Sequence, residues 1–495
     1  MGPASAAVRS RAVVVGGGFV GLATALHLQR AGKHVTLLEA GPDVGGRHSA
    51  SNGNAGTFAF YANVPVQRPG LWKEAPGMIM SRKGALRLVP DPHLLRMVPW
   101  AARALASCSP AEVRKTSLAL GTLLRLAEDG YRDAWSYAGV DVDAPMGVYA
   151  PTPESRADAF AARKGYILLQ RDVTSASSAA AAALRREGLG PGLKMEALDG
   201  VGVRELEPLL SDRAVRGGAW WFEDGWFLRH PEALLRAMRD GFVARGGEVR
   251  CGSGGYARFV NALDVPGDPR SAVRVTTSDG VYLDAGTVVI AAGAHSKQLA
   301  EQCGDAVPLD TERGYSVQWA PKKSQGVFET DAREEPLLTR PVCSSEGGFI
   351  VTPMSGGVRS AGLVELGGLN AGPVASRFEQ LDAETRALFS FRSTKNEDSF
   401  AWLGARDGEK DWLGFRPTLP DALPVLGPSS RVPGVLYAFG HQHIGWTLGG
   451  ITGRVVADLA TGITPEVDLA PFSARRFRGK PWWPYSAVGH TESSL

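Results

Sequence analysis

The sequence contains little cysteine, and its cysteines lie far apart. Only Cys108, Cys251, Cys303 and Cys343 occur in 495 residues, without a Cys-x-x-Cys pair or a Cys/His cluster. Clustered Cys and His ligands at short spacing are the usual mark of a zinc site, whereas scattered thiols are typical of reduced core residues. We therefore expect no metal site.

Long apolar runs and an excess of charge of one sign are also missing. No run approaches the ~18 apolar residues that a membrane-spanning helix needs, and the opening MGPASAAVRSRA lacks the apolar core of a secretory signal. With 54 basic and 51 acidic residues, the net charge is only +3, which excludes a broad nucleic-acid-binding surface. We expect a cytoplasmic protein that binds no nucleic acid and makes at most a peripheral membrane contact.

Glycine, by contrast, is plentiful. The chain has 61 Gly and 32 Pro, with 44% hydrophobic and 21% charged residues. This composition is globular and rich in tight turns. Because single cores stop growing near about 250–300 residues, the length predicts about three domain-sized units or two large lobes.

The most informative motif lies near the start of the chain. Ala12–Val15 reads as a buried parallel strand, and it ends in the glycine-rich sequence Gly16-Gly17-Gly18-Phe19-Val20-Gly21. A helical pattern over Leu22–Ala31 follows, and a second strand, His34–Leu38, closes with Glu39. A strand, a G-x-G-x-x-G turn, a helix and an acid-tipped strand in this order predict a dinucleotide site.

Each residue of that motif has a physical role in the predicted site. Gly16 permits the tight turn, Gly18 lets the backbone approach a pyrophosphate, and Gly21 allows close packing of helix on strand. The helix N-terminus offers unpaired N–H donors and a partial positive charge to the phosphates. Glu39 would bind the ribose hydroxyls and repel a 2′-phosphate, which disfavours NADP.

A second stretch resembles a nucleotide motif in letters only. Gly252–Ala257 reads GSGGYA, but the residues that follow predict a strand and a turn rather than a helix. We expect a loop there. The chain is thus predicted to hold one dinucleotide and no separate nicotinamide nucleotide site.

Two further segments favour a flavin. Ser51–Gly56, SNGNAG, combines glycine with side chains that hydrogen-bond nearby backbone, which suits a loop around a polar ligand. Near the end, a strand at Val435–Phe439 leads into a glycine-rich, non-acidic helix start at 440–449. The positive end of that helix could stabilise an anionic reduced flavin ring.

Taken together, these segments resemble the FAD-dependent D-amino acid oxidase superfamily, and within it the D-amino acid dehydrogenase branch. The similar segments run in the family's order from about residue 11 to 478, and they are VVVGGGFVGLATALHLQRAGKHVTLLEAG, SNGNAG, VVIAAGAHS, RGYSV, AGLVELGGLNAGPVASRFEQL, GFRPTLPDALPVLG and FGHQHIGWTLGGITGRVVADLATG.

The resemblance implies an α/β fold with two interleaved lobes. Residues 8–65, 201–300 and 414–470 would form a discontinuous Rossmann-like FAD-binding lobe. Residues 66–200 and 301–413 would form a substrate lobe with a mixed, largely antiparallel sheet and flanking helices. Residues 471–495 would be a C-terminal tail, whose Trp482 and Trp483 beside basic residues could touch a membrane surface.

The family's FAD contacts can be carried over onto matching positions. The implied cofactor-binding residues are Gly16, Gly18, Phe19, Val20, Gly21, Glu39, Ala40, Ser51, Asn54, Ala55, Gly56, Val249, Ala292, Gly293, Gly445, Trp446, Thr447 and Leu448. For Ser51 and Asn54 the alternative is a loop that only caps itself. The implied chemistry is hydride transfer from the carbon beside an amine to flavin N5, giving an imine that water hydrolyses to a keto product.

The sequence departs from the family at the substrate carboxylate. An arginine on the strand after Phe349 clamps the carboxylate in the amino-acid-oxidising members, and this sequence has Pro353 there. Either another side chain supplies the positive charge, with Arg313, Arg416, His441 and His443 as candidates, or the substrate lacks an α-carboxylate. A secondary amine substrate and a flavin-binding protein without turnover both remain open.

The catalytic candidates each have a structural alternative. Arg416 would lie in the active site or form an internal salt bridge, and one of His441 and His443 would be a packed, satisfied core histidine. Tyr315 and Tyr61 are either cavity walls or core residues. The partners implied are a small amine or amino acid substrate and, as electron acceptor, oxygen or a quinone or other carrier.

Overall fold

The computed structural model describes residues 3–71, 77, 84–263, 272–319, 338–355, 357–389, 403 and 406–478. Most of the predicted tail, residues 479–495 with Trp482 and Trp483, lies outside the described residues. The described helices are α1 (Pro3–Ser10), α2 (Phe19–Arg30), α3 (His93–Ala106), α4 (Pro110–Leu124), α5 (Ala127–Ala138), α6 (Ala176–Leu189), α7 (Gly200–Leu206), α8 (Asp212–Val215), α9 (Pro231–Ala244), α10 (Ser296–Gln302), α11 (Ala375–Ala387) and α12 (Gly445–Thr461).

The strands fall into two major sheets and two small ones. They are β1 (Arg11–Val15), β2 (His34–Glu39), β3 (Thr57–Phe58), β4 (Leu86–Leu88), β5 (Ala161–Arg163), β6 (Tyr166–Leu169), β7 (Met195–Leu198), β8 (Ala219–Phe222), β9 (Trp226–Leu228), β10 (Glu248–Cys251), β11 (Ala257–Leu263), β12 (Ala272–Thr277), β13 (Tyr282–Ala285), β14 (Thr287–Ile290), β15 (Asp310–Trp319), β16 (Val342–Ser344), β17 (Phe349–Met354), β18 (Gly357–Leu366), β19 (Trp412–Thr418), β20 (Val425–Pro428) and β21 (Val435–Phe439).

The first major sheet has the order β10-β2-β1-β14-β21-β20 and gathers strands from distant parts of the chain. All its pairings are parallel except that of β20 with β21. Its central strands are buried on both sides, which is why β1 and β14 are short and almost wholly β-branched. The predicted α/β fold is confirmed.

Helices α2 and α12 pack closely together against this sheet. The close approach depends on glycines of α12. A Cβ on Gly453 would lie 2.9 Å from the carbonyl oxygen of Ala23 in α2, and one on Gly450 would overlap the backbone nitrogen of Tyr131 in α5. Helix α12 is thus held between two other helices, and its N-terminus points where α2 begins.

The second major sheet is mixed and largely antiparallel. Its strands follow the order β19-β15-β18-β17-β16-β6-β8-β7, and β4 also pairs with β18. One face meets the loop predicted to bind the cofactor, because the hydroxyl of Thr352 donates to the carbonyl oxygen of Ala55 at 2.8 Å. We call this side of the sheet the loop face. Cross-strand register also places Arg359 on it, opposite Thr352.

The strand pairings depart from the predicted lobe boundaries at two places. Strand β8 lies within the predicted 201–300 segment of the FAD lobe, yet it pairs with β6 and β7 in the second sheet. Strand β19 extends past residue 414 and pairs with β15 in the same sheet. Local pattern identifies a strand but does not say which sheet completes its hydrogen bonds.

The Asp279-Gly280 turn joins β12 to β13 in an antiparallel hairpin. The prediction of a loop without a following helix at Gly252–Ala257 is confirmed. After Gly252–Gly254 the chain enters strand β11, so the second glycine-rich stretch is followed by no helix.

Candidate functional site

The glycine turn after β1 leaves no room for side chains. Gly16 has a φ of +112°, a conformation that residues with a Cβ rarely adopt. A Cβ there would overlap the carbonyl oxygen of Ala291, and a Cβ on Gly21 would overlap the carbonyl oxygen of Gly16. A Cβ on Gly18 would lie 2.9 Å from the Ser51 hydroxyl oxygen. The turn therefore presents bare backbone at the carboxyl ends of β1 and β14.

Glu39, at the end of β2, braces this turn. One carboxylate oxygen accepts the amide N–H of Gly17 at 2.8 Å. The other accepts the amide N–H of Gly41 at 2.9 Å and lies 2.8 Å from Nε2 of His48. The carboxylate thus lies beside the turn, as the predicted ribose contact requires. His48 is a neighbour that the sequence pattern did not reveal.

The loop Ser51–Gly56 is closed by its own side chains. The Ser51 hydroxyl accepts the amide N–H of Phe19 at 3.0 Å and so caps the start of α2. The Asn54 side chain donates to the carbonyl of Ser51 at 2.8 Å and accepts the amide N–H of Gly56 at 2.7 Å. The self-capping alternative therefore describes Asn54, while Ser51 ties the loop to the glycine turn.

Arg359 holds the same loop from the loop face. Its guanidinium donates to the carbonyls of Asn52 and Asn54 at 3.3 and 3.2 Å, and it pairs with Glu232 at 2.9 Å. The side chains of Arg359 and Glu232 are 9% and 15% exposed. Burial opposes the charged form of Glu232, yet the guanidinium keeps its pKa below the usual value. Sequence reasoning missed Arg359, because these partners lie about 300 residues away along the chain.

The start of α12 forms the opposite side of the site. Gly440 and Gln442 have positive φ, +86° and +51°, and the 3₁₀ turn Gln442–Ile444 leads into the helix. The Thr447 hydroxyl accepts the amide N–H of Ala59 at 2.9 Å. The Trp446 carbonyl accepts from the Tyr131 hydroxyl at 2.7 Å, and Leu448 is fully buried.

These residues fit a dinucleotide. The N-termini of α2 and α12 converge, since the rings of Phe19 and Trp446 lie 4.4 Å apart and a Cβ on Gly445 would be 4.0 Å from Val20. Neither helix has an acid in its first turn. Two positive helix ends and a glycine turn without side chains suit a pyrophosphate and an electron-rich ring. The buried indole N–H of Trp446 has no hydrogen-bond partner among the described residues.

The remaining predicted cofactor residues lie at the edges of this site. Val249 pairs with Leu37 in the neighbouring strand of the sheet, and Ala40 is exposed just beyond Glu39. Ala292 and Gly293 follow β14, and Gly293 has a φ of +56° with open space where a Cβ would be.

Arg416 lies at the far end of the loop face from β7. Its guanidinium donates to the carbonyls of Leu363 and Gly362, at 2.8 and 3.4 Å, and occupies the space left by the absent side chain of Gly314. Burial lowers the pKa of Arg416, and the nearby carboxylate of Glu312 opposes this shift. The guanidinium is therefore engaged by protein carbonyls and attracted by one carboxylate.

The two candidate histidines differ in exposure. His441 is buried, its Nε2 lies 2.9 Å from the Thr452 hydroxyl, and burial lowers its pKa to about 3. It is the packed, satisfied histidine of the pair. His443 is exposed over part of its surface, and desolvation of the rest, together with the charge of Arg416, lowers the pKa of its imidazole. Both imidazoles are uncharged at neutral pH.

Tyr315 and Arg313 lie away from Arg416 and His443. Tyr315 is buried with the hydrophobic core on the opposite side of the sheet, and its hydroxyl donates to Glu365 at 2.7 Å. Arg313 is fully buried and pairs with the same carboxylate at 3.2 Å. The structure thus places Tyr315 in the core and engages Arg313 in an internal ion pair, so neither joins Arg416 and His443.

Tyr61 packs at the end of the loop face nearest β8. Its ring stacks on Phe222 with centroids 4.2 Å apart and lies 4.5 Å from the ring of Tyr166. Tyr61 and Arg416 therefore lie at opposite ends of the same sheet. Between them, Pro353 stands on β17, next to Thr352.

Comparison with known proteins agrees with this geometry. The family model named DAO, for FAD-dependent oxidoreductase, matches residues 11–459. The chain is 33% identical over 466 residues to a D-amino-acid oxidase of Bradyrhizobium diazoefficiens, covering 94% of this chain and 98% of that protein. It is 28% identical over 480 residues to a D-amino acid dehydrogenase of Methylobacterium nodulans, covering 94% and 99%.

Solved structures show the same fold. A glycine oxidase from Geobacillus kaustophilus matches with a TM-score of 0.60 and 22% identity, over 95% of this chain and all of the other. An iminodiacetate oxidase from Chelativorans sp. BNC1 matches with a TM-score of 0.61 and 17% identity, over 94% and 98%.

Proposed function

The chain belongs to the DAO family of FAD-dependent oxidoreductases, and on that premise we propose that it oxidises the C–N bond of a D-amino acid or a related amine. It is an FAD-dependent enzyme that acts on amino acids or amines. The observation that carries the narrower proposal is the 33% identity to a D-amino-acid oxidase along 94% of the chain. The product would be an imine, which water hydrolyses to a keto compound and ammonia or an amine.

When bound, FAD would supply a two-electron acceptor for the hydride that leaves the substrate α-carbon. The glycine turn at Gly16, Gly18 and Gly21 would hold the pyrophosphate, and Glu39 would hold the ribose. The N-terminus of α12 would place positive potential against the ring. These contacts would fix where the flavin lies, and the loop face would then cover the substrate.

The residues of the loop face would then position the substrate and exclude water. The lone pair of the substrate nitrogen would form the C=N bond as the α-carbon loses hydride, so an ammonium group must lose its proton before the reaction and the amine must be neutral. His443 suits this requirement because its lowered pKa leaves an uncharged imidazole beside Arg416. Orientation and desolvation, rather than a side-chain base, would supply the rate.

A second candidate is favoured by Pro353. It stands where related enzymes carry an arginine for the substrate carboxylate, and a substrate without that carboxylate would not need the arginine. A secondary amine or other amine would satisfy this alternative, as would a flavin-binding protein without turnover. The acceptor, oxygen or a quinone or other carrier, and a peripheral membrane contact remain predictions. In the described part of the chain, none of the helices has the length and apolar character needed to cross a bilayer.

Anaerobic reduction of the bound flavin tests the proposal. Purified protein should show a flavin visible spectrum, and that spectrum should bleach on addition of at least one D-amino acid from a panel that also contains secondary amines and aminophosphonates. Bleaching by amines alone would favour the second candidate. No bleaching by any member, with dithionite as the positive control, would refute turnover.

A further inference from the structure

Arg185, in α6, carries a positive charge that no carboxylate of the described residues offsets. Within the described residues no acid lies in ion-pair distance of its guanidinium, and its Nε atom is inaccessible and has no hydrogen-bond partner. The groups that interact electrostatically with the guanidinium are the hydroxyls of Tyr61 and Tyr166 and the thiol of Cys343. The residue is half-buried, and a partly desolvated charge without a partner is unfavourable, so the arrangement leaves the guanidinium free to bind an anion from outside the chain.

The neighbours of Arg185 form one side of a small polar cluster. Its Cζ lies 5.9 Å from the ring centroid of Phe222, and Tyr61 stacks on that same ring. The ring of Tyr166 lies 4.5 Å from the ring of Tyr61, and the Tyr166 hydroxyl interacts electrostatically with the Cys343 thiol. We call Arg185, Tyr61 and Tyr166 the arginine cluster.

The ionisation of these groups makes the cluster a set of donors. Burial raises the pKa of Tyr61 and Tyr166 well above the usual value, so both hydroxyls keep their protons. Burial also raises the pKa of Cys343 to about 11, which leaves a neutral thiol. Arginine remains charged even with its pKa lowered. The cluster therefore offers a cation and two O–H groups, and no negative charge.

The cluster is fixed on the loop face. Strands β6, β16 and β17 are adjacent, and their register places Tyr166 two strands from Thr352, about 10 Å at the usual strand spacing. Helix α6 is held to this face by the Trp220 indole, which donates to the Ser178 hydroxyl at 2.8 Å, and by Asn63, which donates to the Leu184 carbonyl at 3.1 Å.

The other arginines on this face have partners. Arg359 pairs with Glu232 and donates to the cofactor loop. Arg416 donates to the carbonyls of Leu363 and Gly362 and faces Glu312. The guanidinium groups of Arg359 and Arg416 therefore bind protein carbonyls and carboxylates, whereas that of Arg185 has no such partner among the described residues.

We propose that the arginine cluster binds the carboxylate of the amino acid substrate. The inference rests on the proposed function, and it assigns to a helix residue the task that the strand position of Pro353 does not perform. The guanidinium would donate two parallel hydrogen bonds to the carboxylate, and the tyrosine hydroxyls would donate to its remaining lone pairs.

Propanoate binding to the oxidised holoenzyme tests the site without turnover. Titration calorimetry on wild type and Arg185→Gln should show binding weakened about 10- to 100-fold in the variant, the loss expected for one charge-assisted bidentate contact. Tyr166→Phe, which keeps the ring and removes one donor, should weaken binding by a smaller factor, about 3- to 10-fold. The matched control is Arg186→Gln, which removes an exposed charge one residue away and should leave affinity unchanged.

Flavin reduction then links the cluster to the substrate. With the best amino acid of the anaerobic panel, Arg185→Gln should raise the half-saturating concentration at least 10-fold, while reduction by an amine without a carboxylate should be unchanged. Equal propanoate affinity in wild type and Arg185→Gln, or equal losses in the Arg185 and Arg186 variants, would overturn the inference. If Arg185→Gln fails to fold, Arg185→Lys tests the inference instead, because lysine keeps the positive charge but lacks the planar guanidinium that donates two parallel hydrogen bonds. Unchanged propanoate affinity in Arg185→Lys would contradict bidentate binding.

If no amino acid bleaches the wild-type flavin, the proposed function fails, and the propanoate titration still reports on the cluster by itself. If amino acids bleach the flavin but Arg185→Gln behaves as wild type in both measurements, the function stands and the arginine cluster does not bind the carboxylate.

Discussion

Several side chains implied in cofactor binding also hold the protein's own backbone. Glu39 accepts the Gly17 amide, and Ser51 accepts the Phe19 amide. Substituting either residue removes a contact within the protein as well as the proposed contact to the ligand. Tests at these positions need a stability measurement beside a binding measurement. Substitutions that change only one contact are more informative.

Gly21→Ala is such a test of the glycine turn. The added Cβ would overlap the carbonyl oxygen of Gly16, a backbone atom that cannot rotate away. We expect a loss of about 1–3 kcal/mol in the free energy of unfolding and FAD binding weakened at least 10-fold. Gly192→Ala, whose Cβ would meet open space at ordinary φ, should match wild type in thermal unfolding and flavin retention. A yellow Gly21→Ala protein of wild-type stability would contradict the packing argument.

Arg359→Met tests how much the contacts of Arg359 with Glu232 and with the Ser51–Gly56 loop contribute to the free energy of unfolding. The change leaves the buried Glu232 without its guanidinium partner, with only His230 at 3.2 Å, and frees the carbonyls of Asn52 and Asn54, so we expect a cost of about 3 kcal/mol at pH 7. Arg171→Met, in an ion pair with side chains 85% and 54% exposed, should cost close to nothing. Chemical denaturation of both variants measures the difference.

The Arg359 effect has a defined pH dependence. The folded-state pKa of Glu232 lies below the ordinary value of 4.5 for a glutamate, so the ion pair stabilises the fold above that value and loses its contribution as pH falls through the lowered pKa. The gap in stability between wild type and Arg359→Met should therefore narrow below about pH 4.5. A gap that widens on acidification would show that the pair is not the cause.

We also expect the buried His441 to make the protein less stable in acid, because protonation of this imidazole is favoured in the unfolded chain. Its folded-state pKa is about 3 against 6.5 for the unfolded chain, so the unfolded state takes up a proton first as pH falls. Linkage then predicts that this residue costs about 2 kcal/mol of stability between pH 7 and pH 5. His441→Gln should lose less over that interval, and the exposed His34→Gln control should follow wild type. Denaturation curves at the two pH values give the comparison.

At the scale of elements, α12 is the helix on which the site depends. It supplies one wall of the site through its first turn and packs on α2 and α5 through its glycines. Close packing and cofactor contact therefore lie on one rigid element. A helix moved outward by a larger side chain would carry its N-terminus away from the glycine turn.

Gly450→Ala tests this coupling. The new Cβ would overlap the backbone nitrogen and ring of Tyr131, so the helix must shift. We expect a cost of about 1–3 kcal/mol in stability together with weaker FAD retention, although residue 450 lies beyond the first turn of the helix. Gly408→Ala, with nothing near its Cβ, is the matched control. Loss of stability with unchanged FAD affinity would argue that packing and binding are independent.

Elements with a local signal could be predicted from the sequence, and those defined by distant pairing could not. The strand, glycine turn, helix and Glu39 are specified within thirty residues, and β1, α2 and β2 form as expected. The sheet membership of β8 is settled by β6 and β7, so its short apolar pattern did not reveal it. Arg185 carries no local signal, because only the fold shows that no acid of the described residues faces it.

At the scale of the whole molecule, both major sheets are built from distant segments. The first sheet joins strands from residues 11–39, 248–290 and 425–439. The second joins β6 and β8 to β15–β19. Neither sheet is complete without contributions from both halves of the chain, so the two lobes should lose structure together.

A fragment of residues 1–300 should therefore fail to bind FAD. It contains the glycine turn and Glu39, but it lacks β21, which completes β14, and α12, which packs on α2. We expect the fragment to remain colourless after incubation with FAD, under conditions in which the full chain retains flavin through gel filtration. Stoichiometric flavin on the soluble fragment would show that the first half of the chain makes a site alone.

The pairing of β14 with β21 also determines how late in translation the first sheet can be completed. Ile290 and Val435 are separated by 144 residues of chain, which a ribosome adds in about 7 to 30 s at about 5–20 residues per second. Throughout that interval the apolar strand Thr287–Ile290 has emerged with one edge unpaired, a state prone to association with other strands. The nascent enzyme should therefore depend on chaperone protection in that interval, and cofactor can be captured only after translation has passed α12.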